Sequence, residues 1–96
     1  MTEIPALTTA SRVRISDDVL FQELQGDAVL LDLKTGVYFG LDRVGTRIWT
    51  LLGEHKVLAA AVEAMIQEFD VSRDRCSEDV LALVVKLHEQ GLLVIE

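Results

Sequence analysis

The amino-acid sequence predicts an α+β domain, a three-stranded antiparallel sheet followed by three helices. Between Arg12 and Gly40 the apolar residues fall in short runs, Val19 to Leu24, Val29 to Leu33 and Val37 to Phe39. Gln25-Gly26-Asp27 and Lys34-Thr35-Gly36 punctuate them. Past Gly40 the apolar period changes from strand-like to helical. Strands segregated from helices, with no alternation, indicate α+β and not a βαβ arrangement.

Taken in order, residues 1–12 carry Thr2, Pro5, Thr8, Thr9 and Ser11 without periodicity and read as a flexible N-terminal arm, leaving 13–96 as the folded domain. The connectors between the three strands are too short for crossovers, so the strands form an antiparallel meander. Asp42 is an N-cap for a first helix of about 10 residues, with Val44, Ile48, Leu51 and Leu52 at helical spacing and Gly53 as its stop. Leu58, Val62, Met65, Ile66 and Phe69 form the stripe of a second, Ala-rich helix that ends at Asp70-Val71-Ser72. The third runs from about Arg73 to Gln90, with Ser72 as N-cap, Asp74 in its first turn and Gly91 closing it. Leu92 to Ile95 reads as a short terminal strand or a packed extension.

Composition narrows the function. A chain of 96 residues makes one domain. Half of it is apolar but only 5% aromatic, so the core is aliphatic. Nine Lys and Arg against 16 Asp and Glu leave a net charge of −7, which repels phosphate backbones and anionic lipid. No nucleic-acid partner and no membrane partner is expected. Cys76 is the single cysteine, which excludes a disulfide framework and suits a reducing, cytoplasmic location. There is no basic n-region followed by an apolar run of signal-peptide length, and no stretch of about 18 apolar residues.

The inventory of reactive groups is thin. His88 and Cys76 share the third helix, but 12 residues at 1.5 Å each separate them by about 18 Å, beyond hydrogen-bond reach. His55 lies between helices, beside Glu54 and Lys56, and reads as a solvated loop residue. The neighbours Asp17/Asp18 and Glu78/Asp79 point apart whether on strand or helix, so neither pair converges on one atom. The glycines match neither phosphate-binding spacing. Trp49 is either an exposed anchor or partly buried core. The expectation is a protein without catalytic residues, metal or cofactor.

Two features fit a purely structural account poorly. Native sheet edges are usually blunted by charge, proline or a bulge. The edge run Val37-Tyr38-Phe39-Gly40 has none of the charge or proline, so it is either covered by a helix or a template for an added strand. On the third helix, Cys76, Val80, Leu83, Val84 and Leu87 form one stripe, and Leu81 and Val85 widen the apolar arc. That arc either packs against both sheet and helices or lines a groove for an apolar peptide.

The run Ala28 to Leu41, AVLLDLKTGVYFGL, followed by Val44-Gly45-Thr46-Arg47-Ile48-Trp49, resembles the PqqD-like family of peptide-recognition elements from ribosomal-peptide biosynthesis. The similarity continues through Glu68-Phe69-Asp70-Val71, Asp79-Val80, Leu83, Leu87 and Gly91-Leu92-Leu93, and spans about residues 13 to 95. The resemblance implies a winged-helix-like fold that catalyses nothing. It implies that the leader segment of a precursor peptide adds as a strand beside the third strand, lies along the third helix, and is presented to a leader protease or peptide-modifying enzyme. Carried over by position, the strand side of the site is Val37, Tyr38 and Phe39. The helix side is Cys76, Asp79, Leu83 and Lys86, with Leu81 and Val85 as the competing margin. The turn Leu33-Lys34-Thr35-Gly36 lacks the proline common in members serving pyrroloquinoline quinone synthesis, so the chain looks more like the stand-alone elements of lasso-peptide pathways. The alternatives are the same role in pyrroloquinoline quinone or another radical-enzyme pathway, and a winged-helix DNA-binding regulator. The regulator lacks support because the third helix sets Arg73, Arg75 and Lys86 against Asp74, Glu78, Asp79 and Glu89.

Overall fold

The computed structural model describes residues 7–96. Its elements run β1 (Val13–Ile15), β2 (Val19–Leu24), β3 (Asp27–Asp32), β4 (Tyr38–Leu41), α1 (Arg43–His55), α2 (Leu58–Glu68), α3 (Arg73–Glu89) and β5 (Leu93–Ile95). β2, β3 and β4 form the expected antiparallel meander. Gln25 and Gly26 join β2 to β3 with φ of 56° and 92°. Two positive φ values in a two-residue loop match the right-handed twist of the flanking strands.

The β3–β4 connection is built around Asp32. Its buried carboxylate accepts from Lys34 N at 2.9 Å, its carbonyl accepts from Gly36 N at 2.7 Å, and its own N–H donates to Val37 O at 2.9 Å. Gly36 adopts a φ of 76°, which a side chain would strain. β4 therefore starts at Tyr38, one residue later than the sequence reading placed it, because Val37 is consumed in closing the turn.

Of the two readings of the C-terminal run the strand forms, as β5, and one further short strand, β1, joins it. β1 pairs with β5 antiparallel, Val13 opposite Ile95 and Ile15 opposite Leu93, tying the two ends of the domain together. Residues 1–6 of the expected arm lie outside the described residues. Residues 7–12 run against α2, whose N-cap Val57 offers no side-chain acceptor. Backbone carbonyls take that role: Leu58 N donates to Ser11 O and Ala59 N to Thr9 O, at 3.1 and 2.7 Å. Two of the orphan N–H groups of the helix start are satisfied in this way.

α1 begins where expected, with Asp42 Oδ1 accepting from Gly45 N at 2.7 Å. It does not stop at Gly53. The helix continues to His55 and ends at Lys56, a left-handed residue with φ of 66°. Gly53 instead lies inside the helix, where an added Cβ would make only ordinary van der Waals contact with Ile15 Cδ1, at 3.4 Å. α3 is capped by Ser72, whose Oγ accepts from Arg75 N, and ends before Gly91 at φ 75°.

The core is aliphatic as composition required. Ile48, Leu51 and Leu52 of α1 meet Leu58, Val62 and Met65 of α2 and Val80, Val84 and Leu87 of α3, while Leu30 and Leu41 close it from the sheet. Trp49 is 5% exposed and belongs to this core, which removes the anchor reading. Among the described residues no helix is long and apolar enough to cross a membrane.

Candidate peptide-binding groove

Among the described residues, β4 is hydrogen-bonded to β3 on one side only. The bond from Asp32 N to Val37 O makes these two a bonded pair in the register that sets Leu31 opposite Tyr38 and Leu30 opposite Phe39. Antiparallel ladders alternate, so Phe39 and Leu41 direct their N–H and C=O toward β3. Tyr38 and Gly40 direct theirs toward the open edge. Side chains follow the pleat: Leu41 is buried, Phe39 half-buried, and Tyr38 70% exposed.

Next to the end of β4 a cleft of about 420 Å³ opens between the start of α1 and the face of α3. Its walls are Asp42, Val44, Gly45 and Ile48 on one side and Asp79, Ala82, Leu83 and Lys86 on the other. A smaller pocket of about 230 Å³ shares Val44, Ile48 and Asp79 with it and continues to Met65, Phe69, Val71 and Cys76. The shared residues make one groove that follows α3 from Lys86 to Cys76. Gly45 belongs there for space, because a Cβ would stand 3.2 Å from Asp42 Oδ1 and 3.3 Å from Leu41 Cδ2.

The groove brings together Asp79, Leu83 and Lys86 of the residues expected from sequence. Cys76 is 3% exposed and reaches only the floor of the smaller pocket. Burial pushes its thiol pKa up, and the nearby Asp79 adds to that shift, so it is held as a neutral, unreactive group. Tyr38 and Phe39 lie on the open strand, outside both cavities. Val37 lies in the turn, with its carbonyl already bonded to β3. Leu81 and Val85, the competing margin of α3, are half-buried and line neither cavity.

The α1 wall went unrecognised in the sequence. Val44 and Ile48 share the helical stripe of Leu51 and Leu52, yet Val44 sits at the helix start, beyond the core, and is 43% exposed. Exposed ion pairs link α2 to the other two helices: Arg47 holds Glu68 in a two-bond pair, with Nε 2.7 Å from Oε2, and Arg73 pairs with Glu63. Both guanidiniums hold their glutamates below the usual carboxylate pKa. No group of three or more His, Cys, Asp or Glu able to hold a metal exists among the described residues.

The model of the family described as coenzyme PQQ synthesis protein D (PqqD) matches residues 27–93, more than half of the chain. The chain belongs to the PqqD family. Two solved structures share the fold of this PqqD-family protein. TbiB1 in complex with the TbiA(beta) leader peptide is 41% identical with a TM-score of 0.78, covering 83% of this chain and 93% of TbiB1. A lasso peptide synthetase B1 complexed with the leader peptide is 25% identical with a TM-score of 0.77, covering 86% of this chain and 98% of its own. No curated protein matches the sequence. For a PqqD-family chain, the edge of β4 and the face of α3 are the two elements that the family resemblance assigns to peptide binding.

Proposed function

We propose that this protein binds the leader segment of a ribosomally made precursor peptide as a strand added to β4, without catalysing a reaction, and presents it to a leader protease or other modifying enzyme in lasso-peptide biosynthesis. The observation that carries this reading is the open edge of β4 beside a groove along α3, in a chain 41% identical to a protein solved with a leader peptide. Strand addition uses the outward N–H and C=O of Tyr38 and Gly40 to set register, while the groove accepts leader side chains. Each main-chain bond is worth about 0.5–1.5 kcal/mol net, so the groups on Tyr38 and Gly40 together supply about 2–6 kcal/mol. Micromolar affinity needs about 8 kcal/mol, before the cost of ordering the peptide. The side-chain contacts in the groove must therefore carry a large share of the affinity, with Leu83, Val44 and Ile48 as its apolar walls.

The description of the family model favours a second reading, the same binding role in pyrroloquinoline quinone synthesis. The two differ in the peptide recognised. Fluorescence-polarisation titration with the labelled TbiA(beta) leader peptide tests the lasso reading. Saturable binding is expected, and absence of binding would count against it.

A further inference from the structure

We propose that Lys86 makes the groove selective for a leader peptide carrying an acidic side chain at the position that passes over Ala82, a specificity that rests on the leader-binding reading. Lys86 is the sole cation among the residues lining the two cavities. The two acids beside it are engaged within the chain. Asp42 caps α1 through Gly45 N at 2.7 Å, and Asp79 lies 3.6 Å from Arg75 Nε. No carboxylate among the described residues pairs with the Lys86 ammonium. Lys86 thus presents an ammonium without an ion-pair partner among the described residues, in a cleft whose two carboxylates, Asp42 and Asp79, are held by the Gly45 N–H and by Arg75.

Direction gives this charge a seat. Helical side chains lean toward the N-terminus of their helix, so Lys86 reaches back over the residue one turn earlier. That residue is Ala82, exposed and carrying only a methyl group, so space remains above it in the cleft. The apolar stem of Lys86 covers the groove wall while its ammonium meets the ligand at the rim. An opposite charge brought there by an extended peptide gains from the pairing, whereas a basic side chain is repelled, so the contact acts on selection among leaders.

The test is a double-mutant cycle with the TbiA(beta) leader peptide and a set of peptides in which each Asp or Glu is replaced singly by Asn or Gln. Their affinities are measured for the wild type, Lys86→Met and Ala82→Glu. One peptide substitution is expected to weaken wild-type binding about three- to tenfold and to leave binding to Lys86→Met unchanged. Ala82→Glu, which supplies an internal partner to Lys86 at i,i+4, is expected to abolish dependence on that same peptide carboxylate. Equal losses for wild type and Lys86→Met with every peptide would overturn the assignment while leaving leader binding intact. A wild type that binds none of the peptides, including the unsubstituted one, would overturn the leader-binding reading on which the assignment stands.

Discussion

The N–H of Asp32 donates to the carbonyl of Val37 at 2.9 Å, and this bond determines the direction of every later backbone group on β4. Phe39 and Leu41 are turned toward β3, and Tyr38 and Gly40 toward the vacant edge. Backbone groups, and not an unusual side chain, thus form the strand side of the candidate site, next to the groove between α1 and α3.

Proline scanning separates the two orientations. Gly40 has no atom within 4 Å of an added Cβ, and proline is tolerated on an edge strand when the missing N–H faces outward. Gly40→Pro is expected to leave the fold intact by circular dichroism and to weaken leader binding at least fivefold. Phe39→Pro removes a ladder bond to β3 and is expected to lower the melting temperature whether or not peptide is present.

Leu83 and Val85 are both half-buried, but only Leu83 lines the cleft. Leu83→Asp is expected to weaken leader binding more than tenfold with the domain still folded, and Val85→Asp to leave affinity within about twofold. Polarisation titrations of both variants, paired with melting curves, check this. Equal affinities for Leu83→Asp and wild type would remove Leu83 from the site, and loss of the folded state would return it to the core.

Cys76 is expected to resist alkylation in the native protein near neutral pH, because its thiol is buried and its pKa raised. Labelling with a fluorescent maleimide should be slow in buffer and complete in denaturant. Rapid stoichiometric labelling of the folded protein would place the thiol at the surface.

Acid should loosen the brace between the helices. Glu63 and Glu68 have folded pKa values below the ordinary glutamate value, owing first to hydrogen bonds from Arg73 and Arg47. A depressed folded pKa contributes stability that is present above the unfolded value of about 4.3 and is lost as pH falls through the folded one. The melting temperature is therefore expected to fall as pH drops below that value, and to fall less in the double variant Glu63→Gln/Glu68→Gln. An unchanged acid limb in that variant would assign the acid sensitivity to other groups.

Much of the fold was legible because short connectors leave an antiparallel meander little freedom, and because Asp42 and Ser72 act locally as caps. The β1–β5 pair was not, since each strand is three residues long and its partner lies at the other end of the chain. Gly53 misled for a physical reason: glycine ends helices through its left-handed conformation, but here that conformation falls to Lys56, with φ of 66°. In the groove, Asp79, Leu83 and Lys86 were named together only through the family resemblance, since helical periodicity divides them between the apolar stripe and the polar arc of α3. Val44 and Ile48 were hidden, because helical periodicity marks an apolar face without marking where along the helix the core ends.

Amide hydrogen exchange at β4, in the free protein and saturated with the TbiA(beta) leader peptide, tests strand addition most directly. In the free protein, the Phe39 and Leu41 amides should be protected and those of Tyr38 and Gly40 should exchange rapidly. Peptide binding should slow Tyr38 and Gly40 by at least an order of magnitude. Tyr38 and Gly40 amides that exchange at the same rate in the saturated complex as in the free protein would contradict strand addition at β4.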